Sequence, residues 1–170
     1  ARMGHPYVKR YVEERELTLF FLVDISASGS FGSIDKTKSQ IAAEVCALLA
    51  FSAIKNNDKV ALIIFTDDIE LFVPPGKGSS HVLRIIRDLL CFEPTGKGTD
   101  IAGALAYLAR MTHKRSVAFL ISDFQDTGYE KEMTVVGRRH DLIAISTSDR
   151  REMSVGPVGL IELQDAETGQ

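Results

Sequence analysis

The chain lacks most of the features that would sort it quickly into a functional class. Its 170 residues include two cysteines, Cys46 and Cys91, each in an apolar stretch of helical pattern. Free, buried thiols in a reducing compartment are therefore expected rather than a disulfide. No apolar run approaches the roughly eighteen residues that span a membrane, and the opening residues do not form a signal peptide. Charge of one sign is lacking too: the net charge is −3, which argues against broad attraction to nucleic acid. The four histidines, His5, His81, His113 and His140, show no zinc-ligand spacing, and His140 is expected just ahead of a strand. In neither Gly76-Lys77-Gly78 nor Gly96-Lys97-Gly98 is the lysine itself followed by Ser or Thr, so a P-loop is excluded. A Gly-x-Ser-x-Gly elbow, an internal repeat and a low-complexity tract are also missing.

What is present is an alternation of apolar runs with helical patterns. With 45% hydrophobic and 25% charged residues, the length fits one domain with a sizeable core. Leu17 to Val23, Val60 to Phe65 and Ser116 to Ile121 are short and continuously apolar, as strands covered on both faces should be, and Leu142 to Ile145 reads as a fourth strand. Ile69 to Val73 reads as a short antiparallel edge strand, and Val158 to Leu163 as a further strand. Pro74 to Gly78 and Pro94 to Gly98 read as loops. Between Asp35 and Lys55, Ile41, Val45, Leu48, Leu49 and Ile54 recur at helical spacing, and Asn56-Asn57-Asp58 stops the helix. Ser79 or Ser80 is expected to cap a second helix carrying Val82, Leu83, Ile86, Leu89 and Leu90. Thr99 or Asp100 starts a third, through Ala104, Leu105 and Leu108, and Tyr129 to Arg138 forms a fourth. Strands alternating with helices predict an α/β fold of three layers, doubly wound and Rossmann-like.

Chemistry-bearing residues collect where those strands run out. Asp24-Ile25-Ser26-Ala27-Ser28 follows the first strand, Ser122-Asp123 follows a later one, and Gly98-Thr99-Asp100 lies between them in sequence. In a doubly wound sheet, ligands bind outside the carboxyl ends of the strands, where strand order reverses. A sheet order of 3-2-1-4-5-6 makes the strands before Asp24 and Asp123 neighbours at that point. Two carboxylates and the hydroxyls of Ser26, Ser28 and Thr99 would then share one crevice. Such an all-oxygen set suits a hard divalent cation, Mg²⁺ first, with Mn²⁺ or Ca²⁺ as substitutes. Taken singly, each of these residues reads more readily as the cap of a turn or a helix. Their landing on one sheet edge is what favours the cation. Asp100 and Asp126 add acidity nearby, either as supports of the site or as a helix start and a solvated loop.

At these residues the chain resembles the von Willebrand factor A domain, whose metal-ion-dependent adhesion site has the form Asp-x-Ser-x-Ser, then Thr, then Asp. Asp24, Ser26, Ser28, Thr99 and Asp123 match it in order. A closer likeness covers nearly the whole chain. Pro6-Tyr7-Val8-Lys9, Glu13-Glu14-Arg15, Phe31-Gly32-Ser33, Pro74-Pro75, Gly98-Thr99-Asp100, Ser122-Asp123-Phe124 and Arg139-His140-Asp141 look like a bacterial A-domain family known as domain of unknown function fifty-eight, often encoded beside MoxR-type AAA+ ATPases. Two positions depart from pattern. Gly29 stands where the closer family favours a larger apolar residue, and Phe124 stands where many A domains have glycine.

The resemblance implies a von Willebrand A fold: a mostly parallel sheet of order 3-2-1-4-5-6 with one short antiparallel edge strand. It implies an A-like domain over residues 17–165, preceded by an arm or remnant at 1–16 and followed by a tail at 166–170. It further implies a non-catalytic domain that binds a protein partner through a divalent metal. A Glu or Asp of the partner completes the coordination, and a MoxR-type AAA+ ATPase is the implied collaborator in chaperone-like assembly. Neither nucleic acid nor membrane contact is expected of this stretch. The termini read like those of a fragment, so the expected setting is a cytoplasmic domain, with room for a membrane anchor outside it. The alternatives are a metal-assisted hydrolase and a structural A domain with a vestigial site.

Overall fold

The structure is a computed structural model that describes residues 16–26 and 38–147. In chain order these form β1 (Thr18–Asp24), α1 (Lys38–Lys55), β2 (Lys59–Phe65), β3 (Ile69–Gly76), α2 (Ser79–Cys91), α3 (Ile101–Met111), β4 (Val117–Ser122), α4 (Glu130–Arg139) and β5 (Asp141–Ser146). They build a five-stranded sheet of order β3-β2-β1-β4-β5. β1 pairs parallel to β2 and β4, β5 parallel to β4, and only β3 runs antiparallel among the described strands. This is the expected doubly wound, mostly parallel architecture. The further strand expected at Val158 to Leu163 lies outside the described residues.

The unbroken apolar runs have a direct cause: each strand of the sheet's middle feeds two cores. Leu19, Phe21 and Val23 of β1 join Val60, Leu62 and Ile64 of β2 and the small residues of α1 in one cluster. Phe20 and Leu22 join Ala61, Ile63 and Phe65 with Leu105 and Leu108 of α3 in the other. Side chains alternate across a strand, so a strand buried on both faces has no polar position to spare.

Several local expectations are corrected. β3 continues through Pro74 and Pro75 to Gly76 instead of ending at Val73. Proline donates nothing to a ladder, and an edge strand tolerates it. The register shifts between the Leu62–Val73 and Val60–Gly76 pairs, placing the irregularity at the two prolines. α2 is capped by Gly78 at φ 84°, with no side-chain cap, so Ser79 and Ser80 belong to its first turn. α1 turns Ala42, Ala43, Cys46, Ala50 and Ala53 to the sheet, while Leu48 is 75% exposed and Ile41 is also exposed. Small residues let a helix lie close to a sheet, and α1 is apolar on nearly every side, so periodicity alone did not identify its inner face. On α2 the buried positions are Val82, Ile85 and Leu89, and Leu83 and Leu90 face outward.

Both thiols are free, but only Cys46 is buried, which pushes its pKa up to about 12; Cys91 is exposed at the end of α2. His140 does sit between α4 and β5. It is buried there, and burial, helped by Arg139, lowers its pKa. At the start of β1, the Leu17 amide donates to Asp58 Oδ1 at 2.9 Å, and Glu16 pairs with Lys59 and Lys77. No helix among the described residues is long and apolar enough to cross a membrane.

Leu105→Ala, which empties a fully buried position between α3 and the sheet, is expected to cost about 2–5 kcal/mol in urea unfolding. Leu48→Ala on the outer face of α1 is expected to stay within about 0.5 kcal/mol of the unsubstituted chain. Equal losses at the two positions would contradict the described packing.

Candidate metal centre

The register of the central strands brings the acidic segments together. Val23 of β1 pairs with Ile121 of β4, so Asp24 and Ser122 are the next residues of adjacent parallel strands, at the same carboxyl edge. Ser122 Oγ donates to Asp24 Oδ2 at 2.6 Å. Thr99, in the loop before α3, reaches the same oxygen through its hydroxyl at 3.4 Å. The other carboxylate oxygen, Oδ1, accepts the backbone amide of Ser26 at 2.9 Å. Asp24 is thus a half-buried carboxylate on which hydroxyls and an amide from three segments converge. Asp123 lies one residue past Ser122 at this edge, and its Oδ1 accepts from the amide of Gln125 at 3.1 Å.

The loop that carries Thr99 is fastened on both sides. Before it, Glu70 of β3 accepts from Gly96 N at 2.7 Å, Thr95 N at 3.0 Å, Thr95 Oγ1 at 2.7 Å and Thr66 Oγ1 at 2.9 Å. These donors, the Gly96 amide foremost, hold the Glu70 carboxyl at about 2. After it, Asp100 N donates to Thr66 O at 2.8 Å. A Cβ on Gly96 would come within 2.0 Å of Asp67 Oδ1 and 2.1 Å of Thr66 Oγ1, so the loop backbone rests directly on the β2–β3 turn.

Asp100 and Asp126 serve α3. Asp100 is its N-cap, accepting from Gly103 N at 2.7 Å. Asp126 Oδ2 accepts from Ile101 N at 2.9 Å, which ties the β4–α4 loop to the same helix start. Carboxylates suit that end of a helix because its first amides lack partners and carry partial positive charge. Phe124 stands at φ 58°, in the left-handed region where a bulky residue is strained. Its amide donates to Ser122 Oγ at 3.0 Å and its ring lies 6.0 Å from that of Tyr129.

Of the candidate residues, the structure brings Asp24 and Thr99 into contact, buries Ser26 beside them, and puts Asp123 on the same edge. Ser28 lies outside the described residues. Two residues of the neighbourhood were not singled out from sequence. Ser122 was noted only as part of its segment; continuing the β1–β4 register one step would have set it beside Asp24. Glu70 gave no sequence signal, since the loop amides it holds are 25 and 26 residues away along the chain. The side chains that meet Asp24 are the hydroxyls of Ser122 and Thr99, and oxygen ligands of this kind fit a hard divalent cation. Among the described residues no three His, Cys, Asp or Glu side chains gather as metal ligands, so the fit depends on hydroxyl oxygens beside the carboxylates.

Comparison with known proteins places the chain. All of residues 1–170 match the family described as protein of unknown function DUF58. The chain belongs to that family. An uncharacterised protein of Mycobacterium tuberculosis is 30% identical over 172 residues, which cover 99% of this chain and 54% of the relative. The chain thus spans about half the length of such relatives. The magnesium-chelatase 67 kDa subunit of Heliobacterium mobile is 31% identical over 99 residues, 58% of this chain and 14% of that protein. Among solved structures, the conserved hypothetical protein BatB of Bacteroides thetaiotaomicron superposes with a TM-score of 0.63 at 17% identity, covering 76% of this chain and 66% of that one. The manganese-loaded Plasmodium vivax TRAP protein gives 0.53 at 14% identity, covering 87% and 66%. Together with the sheet order, these establish a von Willebrand A-like fold.

The Glu70 carboxyl lies below its ordinary value, so its ionised form stabilises the fold above pH 4.5 and that contribution fades as pH falls toward about 2. The expected outcome for Glu70→Gln is a gap in urea midpoint from the unsubstituted chain that is full at neutral pH and narrows on acidification from about pH 5 to about pH 3. A gap independent of pH would show that the charge is not what the loop binds.

Proposed function

We propose that this DUF58 domain is a non-catalytic, divalent-metal-dependent protein-interaction module. Asp24, Ser26, Ser28, Thr99 and Asp123 are the residues that would hold the cation, Mg²⁺ in the first instance and Mn²⁺ or Ca²⁺ as substitutes. When bound, the cation supplies a positive centre at the sheet edge to which a partner's Glu or Asp can attach. The observation that carries this reading is the convergence of the Ser122 and Thr99 hydroxyls on Asp24 at the edge where β1 and β4 end. Asp24 supplies negative charge, while the hydroxyls orient it and add neutral oxygen donors. Five protein oxygens leave a six-coordinate cation a position that an acidic ligand from outside can fill. Apart from the geometry, a relative named as a magnesium-chelatase subunit gives the reading a sequence-level parallel.

In this reading the partner is a protein, with a MoxR-type AAA+ ATPase as the collaborator in chaperone-like assembly. The chain covers about half of its mycobacterial relatives, which supports a place in a longer protein; a cytoplasmic domain with a membrane anchor elsewhere in that protein is the proposed setting.

Mg²⁺ or Mn²⁺ at about 100-fold over Kd is expected to add about 2.7 kcal/mol of stability. For a domain of this size that is a rise in Tm of about 5–10 °C, read in a thermal melt with metal against chelator. No shift at millimolar metal, or the same shift in Asp24→Ala, would sink the metal claim. Capture of the cognate ATPase is expected to require metal and to be lost in the Asp24→Ala, Thr99→Ala double variant. Undiminished capture by that variant would refute the adhesion role.

A further inference from the structure

The antiparallel edge strand β3 contributes no candidate ligand, yet one of its side chains governs the loop that does. We infer that Glu70 is a positioning residue of the candidate metal centre, setting the place of the Thr99 hydroxyl through the Thr95–Gly96 backbone. This rests on the metal reading proposed above.

The argument is geometric. Thr99 sits on a short loop between Pro94 and α3, and a loop of that kind has no ladder of its own to fix it. Its hydroxyl meets Asp24 at 3.4 Å, near the outer limit of a hydrogen bond, so that contact alone fixes little. Position must come from the loop's attachments. One is the Asp100 amide on Thr66 O at 2.8 Å, directly after Thr99. The other is Glu70, which takes two amides and a hydroxyl from Thr95 and Gly96, four and three residues before Thr99. Both lead to the β2–β3 turn, because Glu70 also accepts from the fully buried Thr66. Thr99 is thereby strung between two anchors on one turn. That turn adjoins the carboxyl end of β2, and Phe65 of β2 pairs with Asp24 itself.

Both Glu70 oxygens are engaged by these donors, Oε1 by Thr66 Oγ1 and the Thr95 and Gly96 amides and Oε2 by Thr95 Oγ1, so its role is to hold the loop. Charged acceptors make the stronger hydrogen bonds, so the carboxylate holds the loop more firmly than a neutral group would. Outer partners of this kind commonly change metal affinity by 10- to 100-fold when removed.

The test is a double-mutant cycle read with Mn²⁺ as the probe, by titration calorimetry on the folded chain. Glu70→Ala is expected to raise the Mn²⁺ Kd roughly tenfold. In a Thr99→Ala background the same substitution is expected to change Kd less than about twofold, because the group it positions is gone. A purely structural role predicts equal losses in both backgrounds, and that result would overturn the inference. An unchanged Kd in folded Glu70→Ala would overturn it as well and leave the metal reading standing. Absence of Mn²⁺ binding by the unsubstituted chain would overturn both. Should Glu70→Ala not fold, Glu70→Gln, which keeps the volume and an acceptor oxygen, takes its place in the cycle with a smaller expected rise. Hydrogen exchange without metal gives a second readout. Amides of residues 95–99 are expected to exchange faster in the Glu70 variant while those of β1 and β4 stay protected; unchanged exchange at 95–99 would contradict the positioning role.

Discussion

The candidate centre depends on one constraint, the burial of β1 on both faces with parallel neighbours on both sides. A strand so placed must be apolar wherever it is covered, and Leu19 to Val23 comply. Polar side chains can appear only where the covering layers end, and at the carboxyl end that residue is Asp24. Parallel pairing then sends β2 and β4 toward the same edge. What each chain segment does on leaving that edge decides which groups meet Asp24. The chain leaving β4 turns at Asp123 toward α4, and the loop between α2 and α3 is fastened to the β2–β3 turn. Thr99 and Ser122, 23 residues apart in sequence, thus meet on one carboxylate oxygen.

Much of the acidity around this edge is committed to backbone amides. Glu70 holds Thr95 and Gly96, Asp100 holds Gly103, and Asp126 holds Ile101. An amide donor satisfied by a carboxylate is a fixed point, because such a bond is shorter and stronger than a neutral one. The three attachments lock the loop before α3, the helix start and the β4–α4 loop to one another. A count of carboxylates would overstate the negative charge offered to a cation. Asp24 and Asp123 are the acidic groups of the proposed set, and the hydroxyls give it shape.

The sequence disclosed the fold where burial was two-sided and pattern was strong. Continuous apolar runs marked β1, β2 and β4, and their spacing by helical segments implied parallel order. It was less informative for α1 and α2. There the choice of inner face is made by which residues are small enough to approach the sheet, a matter of packing rather than of period. β3 outran its expected end because edge strands accept prolines that a central strand would refuse. At the site, Asp24 and Thr99 were legible because strand-end carboxylates and a helix-start threonine announce themselves. Ser122 needed the register, and Glu70 needed the tertiary crossing of a loop over β3. Neither is encoded in local pattern.

Phe124 adds a tension that bears on how rigid this edge is. A left-handed φ at a bulky residue costs on the order of 1–3 kcal/mol and persists only when its surroundings over-determine it. Those surroundings are visible: the ring is packed beside Tyr129 in the α3–α4 core, and the amide is held by Ser122 Oγ. Glycine, the residue many A domains carry here, would adopt the same φ without strain but would have no ring to bury. With Phe124 the backbone just after Asp123 is pinned by packing. The consequence is directional. Ser122 faces Asp24 through its hydroxyl while accepting from Phe124, so the same oxygen that orients the carboxylate also holds the strained turn. Any rearrangement of Ser122 toward a cation therefore has to be accommodated by the turn that carries Asp123. The two halves of the candidate centre, the β1 end and the β4 end, are coupled through one hydroxyl group.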